Sequence, residues 1–226
     1  MQQLKDKAIV LGRIDYAERD RILTLLCKNQ GKMSLIAKGT RAAKSKLAGG
    51  IELFSESDIQ YIKGRGNVGT LTSSRLHQHF GRIIEDIERT MFAYECLRLV
   101  GKINQDGSGQ ECYPLLSTLF AALNDPQSHL VLTKIWFFMQ ILDYMGTAPE
   151  LYISQDSKKL QAGASYQFDY DKQAFRIDEN GEFTADHVKF LRLCLSQRRP
   201  PKVVLSIEAL RVADRFVQRL IQLQQI

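Results

Sequence analysis

Lys38-Gly39-Thr40-Arg41-Ala42-Ala43-Lys44-Ser45-Lys46 places four cations in nine residues with no acid among them. The whole stretch from Lys28 to Lys46 lacks Asp and Glu, whereas a merely solvated loop ordinarily mixes signs. Small residues between the cations let a backbone come close to phosphates, and Thr40 and Ser45 add hydroxyl donors. Such a segment suits a polyanion, above all the phosphate backbone of a nucleic acid. Lys63, Arg65 and Arg75 extend the same face in this reading, with Tyr61 as a platform for a stacked base.

Other residue patterns carry less chemistry. Gly64-Arg65-Gly66-Asn67-Val68-Gly69 matches the dinucleotide fingerprint, but Thr70 to Ser74 are poor helix openers and no βαβ unit surrounds it. A glycine-rich hairpin turn accounts for the run. His77 and His79 have no third ligand nearby, and Glu18 and Asp20 read as turn-shaping acids. Nucleophile-elbow, zincin and Walker motifs are missing, so no enzyme is expected. Cys27, Cys96, Cys112 and Cys194 are scattered without C-x-x-C pairing, which predicts buried reduced thiols and neither a metal site nor a cofactor.

The elements that must position the basic segment are short strands. Of the 226 residues, 44% are hydrophobic and 25% charged, which permits a sizeable core. Residues 1–75 hold 14 Lys and Arg against 7 Asp and Glu, while 76–226 hold 17 against 18. All of the net charge of +6 therefore belongs to the first third, where an anion should bind. Five strands are predicted there: Lys7–Ile14, Arg21–Cys27, Lys32–Ala37, a weaker one about Ile59–Lys63, and one from Val68. Asn29-Gln30-Gly31 marks a hairpin turn between the second and third. Five strands with a basic segment between the third and fourth fit an OB-fold barrel.

Near His79–Arg82 the period lengthens towards 3.6, giving domains at 1–80 and 81–226. Ile84, Ile87, Met91, Tyr94 and Leu97 form the first helical stripe. Leu115, Leu116, Leu119, Phe120 and Leu123 form a second, opened by Pro114. Leu130–Met145 is apolar almost all round and should be the centre of a bundle. A polar insert at about 147–183 carries β-like pieces at Tyr166–Phe168 and Ala174–Ile177, before helices at Thr184–Leu195 and Leu205–Leu223. The fold class is α+β. No run is long enough for a bilayer and the first residues lack a signal-peptide pattern, so a cytoplasmic protein without membrane or small-molecule partners is expected.

Ala8-Ile9-Val10-Leu11, Tyr16-Ala17-Glu18-Arg19-Asp20, Asn29-Gln30-Gly31-Lys32 and Ala37 to Ser45 together resemble the N-terminal signature of the bacterial RecO recombination mediators. The resemblance is specific over about 75 residues and architectural beyond them. It implies an OB-fold followed by a helical domain, in a nucleoid-associated repair protein. It also implies binding of single- and double-stranded DNA, annealing of complementary strands, and help for RecA on strands coated by single-stranded-DNA-binding protein (SSB). RecR is the partner it implies, and Lys38, Arg41 and Lys44 are the basic positions it carries over. The alternative from the residues alone is an RNA-binding or ribosome-associated OB protein.

Many RecO-like proteins carry a four-cysteine zinc module where this chain has no cysteine between Cys112 and Cys194. A degenerate, metal-free insert is therefore expected, held by Tyr152, Tyr166, Phe168 and Phe175. RecO-like proteins also engage the acidic, apolar SSB tail. The last helix offers an apolar stripe, Leu205, Leu210, Ala213, Phe216, Val217, Leu220 and Ile221, beside Arg211, Arg215 and Arg219. Arg198, Arg199 and Lys202 add charge just before it.

Overall fold

The computed structural model describes residues 3–42, 45, 47–64 and 66–225. Five strands come first: β1 (Gln3–Tyr16), β2 (Asp20–Cys27), β3 (Gly31–Ala37), β4 (Ser55–Ile62) and β5 (Val68–His79). They close in the order β1-β2-β3-β5-β4, with β3 and β5 parallel and β4 returning to β1, which is the OB-fold arrangement. Alternation along the strands turns Ala8, Val10, Leu23, Leu25, Leu35, Ile59 and Tyr61 into the interior. A bulge between Val10 and Gly12 lets the long β1 bend around the barrel.

Both β1 and β5 run further than the apolar runs predicted, because mostly polar residues beyond those runs also pair. Gln3 to Lys7 pair with β4, and Thr72 to His79 pair with the other side of β4. The predicted β2–β3 turn is present. Gly31 sits at φ +68, packed so closely on the Ser108 backbone that a Cβ has no room. The glycine run from Gly64 is the β4–β5 connection and leads into a strand rather than a helix.

After β5, a 3₁₀ turn (Gly81–Glu85) leads to α1 (Ile87–Ile103) and α2 (Cys112–Asn124). The predicted stripe of α1 is corrected here. Ile84, Ile87, Met91 and Tyr94 are exposed, and the buried face is Phe92, Ala93, Cys96, Leu97, Leu99 and Val100. The helix starts only after Asp86, whose carboxylate accepts the Arg89 N–H, and its phase follows the face that meets β1. Packing divides the chain into compact units Met1–Gln127 and Ser128–Ile226, so the helical domain expected at 81–226 is itself divided. α1 packs against β1 and α2 against β2, and Ile9 and Leu11 of β1 are buried.

The second unit contains α3 (Leu130–Tyr144), the hairpin β6 (Tyr166–Asp169) and β7 (Ala174–Ile177), α4 (Ala185–Ser196) and α5 (Ile207–Leu223). α3 is central, as its all-round apolarity predicts, with Ile135 to Met139 buried. Its polar atoms are used: Trp136 Nε1 donates to Gln197 O at 2.9 Å, and Gln140 donates to the α4 carbonyls of Cys194 and Leu195. The hairpin of the insert is held by rings. Phe168, Phe175, Phe183 and Phe216 stack edge-on, with Phe216 from α5 at the middle. Tyr152, expected in that cluster, is instead exposed beneath the Arg192 guanidinium. α5 begins after Leu205, because Ser206 Oγ caps it by accepting from the Ala209 N–H.

Candidate nucleic-acid interface

The basic loop leaves β3 at Ala37 and is fastened to the β1–β2 hairpin. Gly39 N–H donates to Asp20 Oδ1 at 2.8 Å, and Arg41 N–H donates to Arg19 O at 3.1 Å. Thr40 turns inward, buried, and its hydroxyl donates to Ala37 O. It therefore organises the loop and is not a phosphate donor. Lys38 and Arg41 remain exposed at the same end of the barrel as Tyr16 and Arg19. Lys44 and Lys46 lie outside the described residues.

Charge at this end is partly compensated. Asp15 accepts from Arg21 Nε at 2.9 Å and lies 3.6 Å from Arg41 Nε. The Arg21 hydrogen bond, helped by Arg41 and Arg13, holds the Asp15 carboxyl below the usual carboxylate range. Arg13 pairs with Glu52 at 2.8 Å. Lys38 and Arg19 have no acidic partner among the described residues. This end thus presents two cations without an acidic partner among the described residues, and Arg41 close to Asp15.

The remaining sequence-predicted residues do not share this end. Tyr61 is a correction: it is 0% exposed, inside the barrel, and cannot stack on a base. Its alternation with Asp58 and Gln60 places it on the face of Ile59, which points inward. Lys63 lies at the opposite end, beyond Ile62, which pairs with Gln3 at the start of β1. Arg75 lies on the wall of β4 and β5, opposite Asp58, and Arg65 lies outside the described residues.

The aromatic that does belong beside the basic loop is Tyr16, 49% exposed at the tip of β1, with exposed Ile14 on the same side of the strand. Ending the first strand at Ile14 concealed it; the alternation of Ile14 and Tyr16 was the available signal. On the second unit, Arg198, Arg199, Lys202, Arg211, Arg215 and Arg219 are all exposed. The apolar stripe beside them is not free, because Val212, Ala213, Phe216, Val217 and Leu220 are packed into the core. Arg215 also pairs with Glu182 at 3.6 Å.

Among the described residues, no three or more His, Cys, Asp or Glu side chains come together as a metal site. Burial raises the thiol pKa values of Cys27 and Cys194, which makes both unreactive at neutral pH. No described helix is long and apolar enough to cross a membrane.

Comparison with known proteins bears on the same region. Residues 1–80 match the family model described as Recombination protein O N terminal. The chain is 33% identical over 156 residues to the DNA repair protein RecO of Heliobacterium modesticaldum, covering 69% of this chain and 56% of that one. It is 32% identical over 152 residues to the DNA repair protein RecO of Acetivibrio thermocellus, covering 66% and 59%. The corresponding protein of Myxococcus xanthus is 28% identical over 165 residues, covering 73% and 66%. The chain thus spans less than two thirds of the length of these curated relatives. The family match falls on the five-stranded barrel, so residues 1–80 carry the N-terminal domain of the RecO family.

Proposed function

We propose that the chain is a DNA-binding recombination mediator that works by capture and annealing, without chemical turnover. The observation that carries this is the basic loop fastened to the β1–β2 hairpin, with Lys38 and Arg41 exposed beside Tyr16. Cations on a hydrogen-bonded loop are already positioned, so phosphate contacts cost little ordering and gain from counterion release. Tyr16 offers a π-face for an unstacked base, which favours single strands over duplex. Annealing, RecA loading and engagement of SSB and RecR rest on kinship with RecO. Physically, one cationic surface lowers the repulsion between two complementary strands held close together.

The test is equilibrium binding of matched DNA and RNA oligonucleotides across a salt series, with annealing of SSB-coated complementary strands as the functional readout. Replacing Lys38, Arg41 and Lys44 together by Gln should weaken single- and double-stranded binding alike, and flatten the single-strand salt slope by about 2 units. Unchanged DNA affinity in the folded variant removes the loop as the site. A clear preference for RNA without annealing favours the RNA-binding alternative.

A further inference from the structure

The wall formed by β1, β4 and β5 carries a second group of cations away from the basic loop. Backbone register sets Lys7 opposite Asp58 and Asp58 opposite Arg75, so three charged residues cross the wall in one row. In the neighbouring row Lys5 is opposite Gln60, and Gln60 is opposite Ser73. Lys28 enters from the β2–β3 turn, where its N–H donates to Lys7 O at 2.8 Å. These residues enclose a groove of about 560 Å³.

The acids of this groove are already engaged. Asp6 is buried and accepts from the Asn29 and Gln30 N–H groups, both at 3.1 Å, so its charge fixes the turn that carries Lys28. Asp58 lies 3.2 Å from Lys7 Nζ and 4.0 Å from His77 Nδ1. Among the described residues, Lys5, Lys28 and Arg75 have no acidic partner. The groove therefore presents three uncompensated cations with Gln60, Ser73 and Asn29 as hydrogen-bonding neighbours. Among the described residues no Phe, Tyr or Trp lines it to select a base; phosphates are what it can hold.

We infer that this groove is a second polyphosphate-binding site, which holds a stretch of single-strand backbone separate from the one at the basic loop. Lys5 and Lys7 stand two residues apart on one side of β1, about 6–7 Å, of the order of one nucleotide step in an extended strand. Lys7 and Tyr16 are nine residues apart on β1, about 30 Å of strand. At a Debye length of about 8 Å, salt screens much of the repulsion between strands held at two such positions. Two independent backbone sites on one barrel would let a single chain hold two stretches of strand at once and so bring them to one surface before they pair. The inference rests on the nucleic-acid reading above and adds a site to it.

The test compares the full chain with two variants, K5E/K28E/R75E in the groove and K38E/R41E in the loop, using oligothymidylates of two lengths across a salt series. The groove variant should lose about three phosphate contacts, flattening the salt slope by about 2 units while the loop contribution stays. A loss confined to the longer oligonucleotide assigns the groove to one continuous strand. A loss of the second equivalent of the shorter one assigns it to a second strand, and annealing falls with it. If the groove variant keeps the full slope while the loop variant does not, the groove is not a site. If neither variant changes the slope, the nucleic-acid reading fails as well. Should charge reversal lower the melting temperature, the neutral K5Q/K28Q/R75Q variant is expected to give the same flattening.

Discussion

Lys32 Nζ lies 2.7 Å from the carbonyl oxygen of Gly101 and 2.9 Å from that of Asn104, so a barrel lysine caps the C-terminus of α1. The α1–α2 connection follows it, with Lys32 N–H donating to Ser108 O and Gly107 N–H donating to Lys32 O. The orphan carbonyls and the negative end of the helix dipole are satisfied together. Lys32 belongs to the acid-free run, yet its role is to dock α1 on β3. Replacing it by Met should cost about 1–2 kcal/mol of stability in chemical denaturation and leave DNA affinity unchanged. A loss of DNA affinity at full stability would return Lys32 to the binding surface.

Tyr16 and Tyr61 separate the two uses of an aromatic ring. Tyr16→Ala should weaken single-strand binding about tenfold, with a smaller effect on duplex, because base stacking needs an unstacked base. Tyr61→Phe should leave both affinities unchanged. The Tyr61 hydroxyl is buried with no hydrogen-bond partner among the described residues, and burial raises its pKa. Removing that oxygen should therefore stabilise the barrel by about 1 kcal/mol. Oligonucleotide titrations and denaturation midpoints of the two variants check both statements.

Much of the barrel was legible because a half-buried strand alternates with a fixed period. Ile59 and Tyr61 set against Asp58 and Gln60 already place Tyr61 inside, although its ring invites a binding role. The hairpin at Asn29-Gln30-Gly31 and the all-apolar α3 were equally readable, each being a local property. What was not readable depends on contacts far apart in the chain. α1 has two faces with apolar residues, and only packing against β1 decides that Phe92 and Cys96 go in while Met91 stays out. The groove cations were hidden by starting the first strand at Lys7, since Lys5 and Lys7 share a side only if pairing begins at Gln3. Lys28 joins them through the turn that Asp6 fastens.

His187 makes the stability of the second unit depend on pH. Its Nδ1 accepts from the Thr184 N–H at 3.0 Å in the capping box of α4, and its Nε2 is buried without a partner among the described residues. Burial holds its pKa below the ordinary 6.5, against the opposing pull of Asp186, Glu182 and Glu208. The unfolded chain then binds the proton more readily than the folded one. The stabilising contribution is complete above pH 6.5 and is lost as pH falls through the lowered folded value. Protonation would also take Nδ1 out of the cap, which is worth about 1 kcal/mol. Denaturation midpoints should decline between neutral and mildly acidic pH, and His187→Asn should flatten that decline. An unchanged slope in the variant would assign the pH dependence to other groups.

The arginines of α5 give the last expectation, the one that concerns a protein partner. Arg211, Arg215 and Arg219 recur every four residues on the exposed side of α5, while Val212, Phe216, Val217 and Leu220 are buried, Phe216 in the ring cluster of β6 and β7. The helix cannot lend its buried stripe to a peptide without opening that core. Apolar side chains exposed in line with the arginines are Ile207, four residues before Arg211, and Leu223, four residues after Arg219. An acidic peptide with an apolar end, such as the SSB tail, would set its carboxylates along Arg211, Arg215 and Arg219 and its apolar end against Ile207. Arg198, Arg199 and Lys202, exposed in the segment leading to α5, would add attraction at longer range. Glu182 occupies Arg215 at 3.6 Å, but an exposed pair of this kind contributes little and yields readily to a competing carboxylate. Reversing Arg215 and Arg219 to Glu should reduce binding of an SSB tail peptide at least about tenfold, as expected for loss of two charge contacts plus new repulsion. Affinity for single-stranded DNA, which the proposed function assigns to the barrel, should stay the same. Fluorescence anisotropy with a labelled tail peptide and a labelled oligonucleotide reads both arms, and full peptide affinity in the variant would move the site off α5.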